Sequence, residues 1–301
     1  MKENLKAKLI ELKKEKNAVI LAHNYQLDEI QEVADYIGDS LALSKIAMSV
    51  KEDVIVFCGV KFMAETAKIL SPDKKVILPV IEAGCPMADM VTAEQLRSVK
   101  EDYPEAAVVC YVNSSAEVKA ESDICCTSSN AINVVDSIKS KKILFVPDQN
   151  LGSYVGKQIS DKEVILWQGF CIVHNRVTIQ NLLHIKEKYP SAPLLVHPEC
   201  RPEIVEQADF IGSTSEIIRE VKKLKDKKII IGTEKGILYT LKKQNPDKEF
   251  ILLSEKLTCM NMKKTTLKDV ISALENETNI IEVDERVRKK AYETLKKMIL
   301  L

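Results

Sequence analysis

Charge of one sign is missing from this 301-residue chain: 44 lysines and arginines stand against 44 aspartates and glutamates, and neither half carries a basic stripe or an aromatic-rich groove. That balance argues against a nucleic-acid partner. No apolar run approaches the length needed to span a bilayer, and the lysine-rich amphipathic stretch from Met1 to Lys16 lacks the apolar core of a signal peptide. A soluble, cytoplasmic protein with no membrane contact is expected. Glycine-rich tracts, proline-rich hinges and low-complexity linkers are absent too, which suits a compact body rather than a string of beads. Cysteine, by contrast, is plentiful. Eight in an intracellular chain argue for metal or thiol chemistry more than for disulfides.

Three stretches read as copies of one another: Asp73-Lys74-Lys75-Val76-Ile77-Leu78, Asp161-Lys162-Glu163-Val164-Ile165-Leu166 and Asp247-Lys248-Glu249-Phe250-Ile251-Leu252. Each is followed by a cysteine, at Cys85, Cys171 and Cys259, spaced 86 and 88 residues apart. A threefold repeat that closes each unit with a thiol can bring three thiolates to one axis, as a metal or an iron–sulfur cluster requires. The units are 1–84, 85–171 and 172–259, each small enough to lean on its neighbours. Strand-like runs alternate with helical patterns: in the first unit Val19 to Ala22, a helical Ile30 to Val50, Val54 to Phe57, a helical Phe62 to Leu70, and Val76 to Val80. The other units repeat the order, so the expected architecture is α/β. It consists of three similar α/β sandwich domains with parallel sheets, related by pseudo-threefold symmetry. Residues 260–301 hold two C-terminal helices, expected to pack back on the first unit.

Offsets of 88 and then 86 residues align His23, Tyr111 and His197, each directly after an apolar strand, and two positions on Tyr25, Asn113 and Glu199. Side chains i and i+2 leave an extended chain on one face, so each unit offers two polar groups at the carboxyl end of a strand. Ligands bind there in open parallel sheets. The same offsets align Ser40, Ser128 and Thr214, each expected as a helix N-cap beside free amides and the positive end of the helix dipole, where phosphate or carboxylate binds. Capping alone would explain any one of them. Three in register beside polar pairs point to a substrate with several anionic groups.

Cys58, Cys110, Cys125, Cys126 and Cys200 have no cysteine at their repeat equivalents and are read as packing residues, Cys200 least surely because it adjoins Glu199. Three repeated thiols could hold zinc, although a structural zinc normally closes with a fourth protein ligand. A cubane cluster on three cysteines leaves one iron open to act as a Lewis acid. With acid–base residues around it, the site reads as that of a cluster-dependent lyase or dehydratase. A hydro-lyase for another small dicarboxylate, a non-catalytic iron–sulfur carrier or sensor, and a zinc-stabilised repeat protein remain open on residues alone.

The segments Ala22-His23-Asn24-Tyr25, Gly59-Val60-Lys61-Phe62, Ala83-Gly84-Cys85-Pro86-Met87, Tyr111-Val112-Asn113, Pro147-Asp148-Gln149-Asn150-Leu151-Gly152, Gly169-Phe170-Cys171, His197-Pro198-Glu199 and Cys259-Met260-Asn261-Met262-Lys263 run in unbroken order. As an ordered set they resemble the quinolinate synthases, bacterial and archaeal enzymes of NAD biosynthesis. The resemblance implies a pseudo-threefold arrangement around one [4Fe-4S] cluster per chain. It also implies condensation of iminoaspartate with dihydroxyacetone phosphate to quinolinate, phosphate and water, with transient contact to an iminoaspartate-producing enzyme. It places cluster ligands at Cys85, Cys171 and Cys259. Substrate-binding positions fall at His23, Tyr25, Ser40, Tyr111, Asn113, Ser128, His174, His197, Glu199, Ser213 and Thr214. Within that frame Glu199, the only aligned carboxylate, is the expected general base. Tyr25 and His23 would protonate and position oxygens of the triose, and Tyr111, Asn113 and His197 would orient the amino-acid half. Many family members carry Cys-x-x-Cys-x-x-Cys at the last ligand, whereas this chain has the single Cys259, which removes a regulatory disulfide there.

Overall fold

The computed structural model describes residues 2–301; Met1, where the lysine-rich segment begins, lies outside the described residues. Three four-stranded sheets carry the fold, every pairing parallel. The first comprises β1 (Ala18–His23), β2 (Tyr36–Gly38), β3 (Val54–Cys58) and β4 (Lys75–Ile77) in the order β2-β1-β3-β4. The second repeats that order with β5 (Ala107–Tyr111), β6 (Ile124–Cys126), β7 (Lys142–Val146) and β8 (Glu163–Leu166). The third repeats it again with β9 (Leu194–Val196), β10 (Phe210–Ile211), β11 (Lys228–Gly232) and β12 (Glu249–Leu252). Helices cover the sheets, so the central strands are apolar on both faces, as parallel strands usually are. In β1 and β3, Val19, Leu21, Ile55 and Phe57 join one core, while Ile20, Ala22, Val56 and Cys58 join another beneath Leu9, Leu12, Val270 and Leu274.

The stretch Ile30 to Val50, whose apolar spacing fits one helix, is instead a short helix (Asp28–Val33), β2, and a second helix (Ser40–Ser49). Asp35 explains the break. Its N–H donates to the Ile20 carbonyl at 3.0 Å and its carboxylate accepts the Ile20 N–H at 2.8 Å, drawing residues 36–38 into the sheet. Asp123 does the same to Val108 and Asp209 to Leu194, with carboxylate contacts of 2.7 Å in both. A three-residue strand carries too little pattern to show its period of two.

The expected caps are also displaced by one residue. Asp39 caps the helix beginning at Ser40, accepting from the Ala42 N–H at 3.0 Å, and Ser213 caps the helix beginning at Thr214 through a capping box with Glu216. In the second unit Ser128 sits in a turn ahead of the helix Ala131–Ser137, where Asn130 Oδ1 takes the N–H and the hydroxyl of Thr127. Capping therefore falls to the preceding residue in the first and third units, and in the second Asn130 precedes the helix without a side-chain cap bond, so the hydroxyls of Ser40, Ser128 and Thr214 are left for the cavity described below.

Two helices follow the third unit. Leu267–Asn276 packs on the helix Lys2–Glu15 and on β3 of the first unit, and Ile281 donates to the Val76 carbonyl at 2.8 Å. The last, Glu285–Leu300, lies against the helix Ala116–Ala120 and β6 of the second unit and the helix Lys61–Leu70 of the first. No helix among the described residues is long and apolar enough to cross a membrane.

Candidate active site

The carboxyl ends of β1, β5 and β9 meet at one cavity of about 270 Å³. Its wall includes His23, Tyr25, Ser40, Tyr111, Asn113, Ser128, His174, His197, Glu199, Thr214, Cys85, Cys171 and Cys259, so residues far apart in the chain and drawn from all three sheets share one space. Ser213 is the exception. It is fully buried under Thr214, its hydroxyl used as a cap, and it does not line the cavity. Gly236 lets the third unit come this close to the first, because a Cβ there would lie 2.6 Å from the Tyr25 Cα.

Repeat-equivalent histidines are held alike. His23 Nδ1 accepts the Tyr25 N–H at 3.1 Å, and His197 Nδ1 accepts the Glu199 N–H at 3.3 Å. Burial lowers both rings, His23 to about 4 and His197 to about 3, so both are neutral at pH 7 with the proton on Nε2. His197 Nε2 then donates to the Ser128 hydroxyl at 3.2 Å and stacks on His174 with ring centres 4.8 Å apart. Glu199 is the opposite case. Burial pushes its carboxyl up, but the neighbouring His197 and His174 rings, the hydrogen bond from His174 and the nearby Tyr111 hydroxyl bring it below the usual range.

A chain of hydrogen bonds leads to that carboxylate. Thr214 donates to the Tyr25 hydroxyl at 2.8 Å, Tyr25 meets Thr233 Oγ1 at 2.7 Å, and Thr233 meets His174 Nε2 at 3.0 Å. His174 Nδ1 reaches Glu199 Oε2 at 2.7 Å, and because a carboxylate oxygen accepts, Nδ1 is the donor there. The hydroxyls between can serve as donor or acceptor. Two buried acceptors, Glu199 Oε1 and Asn113 Oδ1, have no hydrogen-bond partner. Such atoms cost roughly 1–3 kcal/mol each when left bare, and their place in the wall marks where a polar ligand would bind.

The three repeat cysteines are only partly buried, whereas Cys58, Cys110, Cys125, Cys126 and Cys200 are fully enclosed in the apolar cores. Each repeat thiol faces backbone N–H groups a short step ahead: Met87 and Ala88 for Cys85, His174 for Cys171, Asn261 and Met262 for Cys259. Desolvation still dominates, raising Cys85 to about 12 and pushing Cys171 and Cys259 up as well, so three thiolates here need a cation beside them. Cys171, His174 and Glu199 offer sulfur, nitrogen and oxygen within 4.8 Å of one another. The donor set fits a metal centre.

Sequence reasoning passes over Thr233, Asp148, Glu234 and Lys263. Asp148 and Glu234 are fully buried and occupy one repeat position, but the first unit has Val60 there, which hides the pattern. Lys263 pairs with Glu234 and donates to the Tyr25 carbonyl, a link between units that no local motif announces.

Three α/β units with parallel sheets bring thiols, neutral histidines and a partnered carboxylate to one cavity, and such an arrangement is that of an enzyme whose donor set could hold a metal. The sequence profile of the quinolinate synthetase A protein family matches residues 7–300. The chain is 60% identical over 288 residues to the quinolinate synthase of Alkaliphilus metalliredigens, covering 96% of this chain and 95% of that one. It is 56% identical over 299 residues to the enzyme of the same name from Caldicellulosiruptor saccharolyticus, covering 99% of each. With that of Clostridium kluyveri it shares 58% over 288 residues, 96% of this chain and 95% of that one. The chain belongs to the quinolinate synthase family.

Proposed function

We propose that the chain condenses iminoaspartate with dihydroxyacetone phosphate to give quinolinate, phosphate and water in cytoplasmic NAD biosynthesis, with one [4Fe-4S] cluster per chain held by Cys85, Cys171 and Cys259. The observation that carries this reading is the convergence of those three thiols, alone among eight, with the polar pairs of all three strand ends on a single cavity. When bound, such a cluster supplies an iron without a protein ligand, a Lewis acid for a substrate hydroxyl or carboxylate. Zinc-only and electron-carrier readings explain neither the bare Glu199 Oε1 nor the histidines kept neutral beside it.

The chain's own groups divide the remaining work. Glu199 is ionised, has Oε2 tied to His174 and keeps Oε1 free, so it takes the proton released when a carbon next to a carbonyl or imine enolises. Tyr25 accepts from Thr214, and when its one O–H turns from Thr233 to the substrate it returns a proton to a departing oxygen. His23 and Tyr25 hold the triose side. Asn113 Oδ1 is an acceptor aimed at an amine or imine N–H, with Tyr111 and His197 beside it. Ser128 and Thr214, with Ser40 across the cavity, receive carboxylate or phosphate oxygens; Ser213 contributes from behind by fixing the helix that presents Thr214. The catalytic units are taken as 1–84, 85–171 and 172–259, with 260–301 as the C-terminal helices. Iminoaspartate reaches them by transient contact with the enzyme that makes it.

The experiment is anaerobic purification, iron and sulfide analysis, and assay of quinolinate from dihydroxyacetone phosphate and enzymatically generated iminoaspartate. Brown protein with about four irons per chain and steady turnover is expected. Changing Cys85, Cys171 or Cys259 to Ser should abolish both, while Cys58→Ser and Cys126→Ser keep both. Full turnover by a colourless, iron-free preparation overturns the reading.

A further inference from the structure

Each unit fastens its cysteine-bearing loop to the segment that follows its third strand, and the three fastenings are unequal. One backbone bond is common to all. Lys61, Gln149 and Lys235, at equivalent repeat positions, donate their N–H to the carbonyls of Ala83, Gly169 and Leu257, at 2.8 Å in every case. Those carbonyls sit two residues ahead of Cys85, Cys171 and Cys259. The second and third units add another bond. Asp148 Oδ2 accepts the Cys171 N–H at 3.0 Å, and Glu234 Oε1 accepts the Cys259 N–H at 2.9 Å. Both carboxylates are fully buried, and each uses its second oxygen on a nearby amide, Asp148 on Leu151 at 2.8 Å and Glu234 on Gly236 at 2.7 Å. In the second unit the approach is so close that a Cβ on Gly169 would lie 2.4 Å from the Pro147 carbonyl oxygen. The first unit has Val60 at the carboxylate position, with no acceptor in its side chain to give.

We propose that Asp148 and Glu234 are positioning residues that clasp the backbone of Cys171 and Cys259 and so hold these two thiols toward the cavity, leaving Cys85 as the ligand whose own N–H has no such clasp, its loop held instead at the Glu82 and Met90 carbonyls by Lys264 and Trp167. This rests on the reading of the three cysteines as ligands. The clasp acts on the ligand's own peptide N–H, not on the sulfur. Removing it therefore lets the loop swing without changing which atoms can bind. A buried amide stripped of its acceptor favours local opening, and a roughly tenfold larger open population is the scale expected for one lost bond of this kind.

Asp148→Ser separates the two jobs of Asp148, because serine still caps the helix Gln149–Gln158 but is one atom too short to reach Cys171 as well. Glu234→Ala removes both acceptor oxygens and with them the Lys263 ion pair, so Lys263→Met, which removes that pair but leaves both oxygens, is its control. Anaerobically prepared full chains are exposed to a ferrous chelator together with iodoacetamide. Iron release is followed by absorbance, and alkylation of each cysteine by peptide mass spectrometry, with a thermal melt as the control for folding. Asp148→Ser should release iron about tenfold faster and advance labelling at Cys171 only; Glu234→Ala should advance it at Cys259 only, and Lys263→Met should leave it unchanged. In the unaltered protein Cys85 should be the first of the three to label. Release and labelling at unaltered rates in Asp148→Ser overturn the proposal, as does equal acceleration at all three cysteines with a lowered melting temperature. If the unaltered chain carries no iron, the functional reading fails, yet the site-by-site labelling still decides the clasp.

Discussion

β1 and β9 end alike, each with a buried histidine whose Nδ1 accepts the N–H two residues on, but the side chain at that second position is Tyr25 in one and Glu199 in the other. The two then stand at opposite reaches of one hydrogen-bond line, Tyr25 receiving from Thr214 and Glu199 terminating at His174. The backbone equivalence of the units sets where a functional group stands; the residue chosen two positions past the strand sets what it can do there. A phenol that keeps its proton and a carboxylate that has lost its own stand at equivalent places, so on the proposed reading the cavity would have a proton donor and a proton acceptor without any new architecture.

The comparison breaks most visibly at Glu199. Glu199→Gln keeps shape and hydrogen bonding but cannot take a proton, and turnover should fall by about 10²–10⁴-fold with iron content and melting temperature retained. Tyr25→Phe, its counterpart, should cost less, roughly ten- to a hundredfold on the same scale, because water can replace a donor more readily than a buried base. Equal losses in quinolinate assays would erase the distinction between the two ends.

A second test uses the histidines the two ends share. Their folded values lie near 4 and 3, below the unfolded value of about 6.5. Between those limits the unfolded chain binds protons that the folded one refuses, so stability falls as pH drops below 6.5. Glu199, held low, acts in the same direction below the ordinary glutamate range. Urea midpoints of anaerobic protein should decline steadily from pH 6.5 to 4.5, and His197→Gln should flatten the slope. A midpoint constant over that range contradicts neutral buried histidines.

The smallest effect probes the scaffold. Asp35→Ala, Asp123→Ala and Asp209→Ala each remove the carboxylate that ties a short strand to its neighbour, and each should cost about 1–3 kcal/mol in urea titrations. The three costs should be similar. Asp35 also pairs with Lys13 at 2.5 Å and Asp209 with Lys186 at 3.6 Å, so any excess at either over Asp123 measures that contact.

Much of this was legible in the residues because the repeat does the work of an alignment within a single chain. Cys85, Cys171 and Cys259, and the pairs after β1, β5 and β9, are found by offset alone. What the residues do not show is what is too short for periodicity or depends on a distant partner. The strands at Tyr36–Gly38 and its equivalents are too short for periodicity, and their true mark is the aspartate clamp before them. Caps were placed one residue late because Ser40 and Thr214 look like caps while Asp39 and Ser213 perform the task. Thr233, Asp148 and Lys263 act on partners far along the chain, and nothing in their own neighbourhoods records that.

The last helix carries a consequence for biosynthesis on the ribosome. Asn130, in the turn that presents Ser128, donates to the Met298 carbonyl at 3.1 Å, and Thr294 donates to the Lys119 carbonyl at 3.3 Å. Cys85 leaves the exit tunnel first, Cys259 much later, and Met298 last of all. A nascent chain can fold its first sheet early, but the Ser128 wall cannot be finished until residues 285–300 have been made. A metal held by the three thiols, as proposed, would meet that finished wall only after the third cysteine already stands beside the other two.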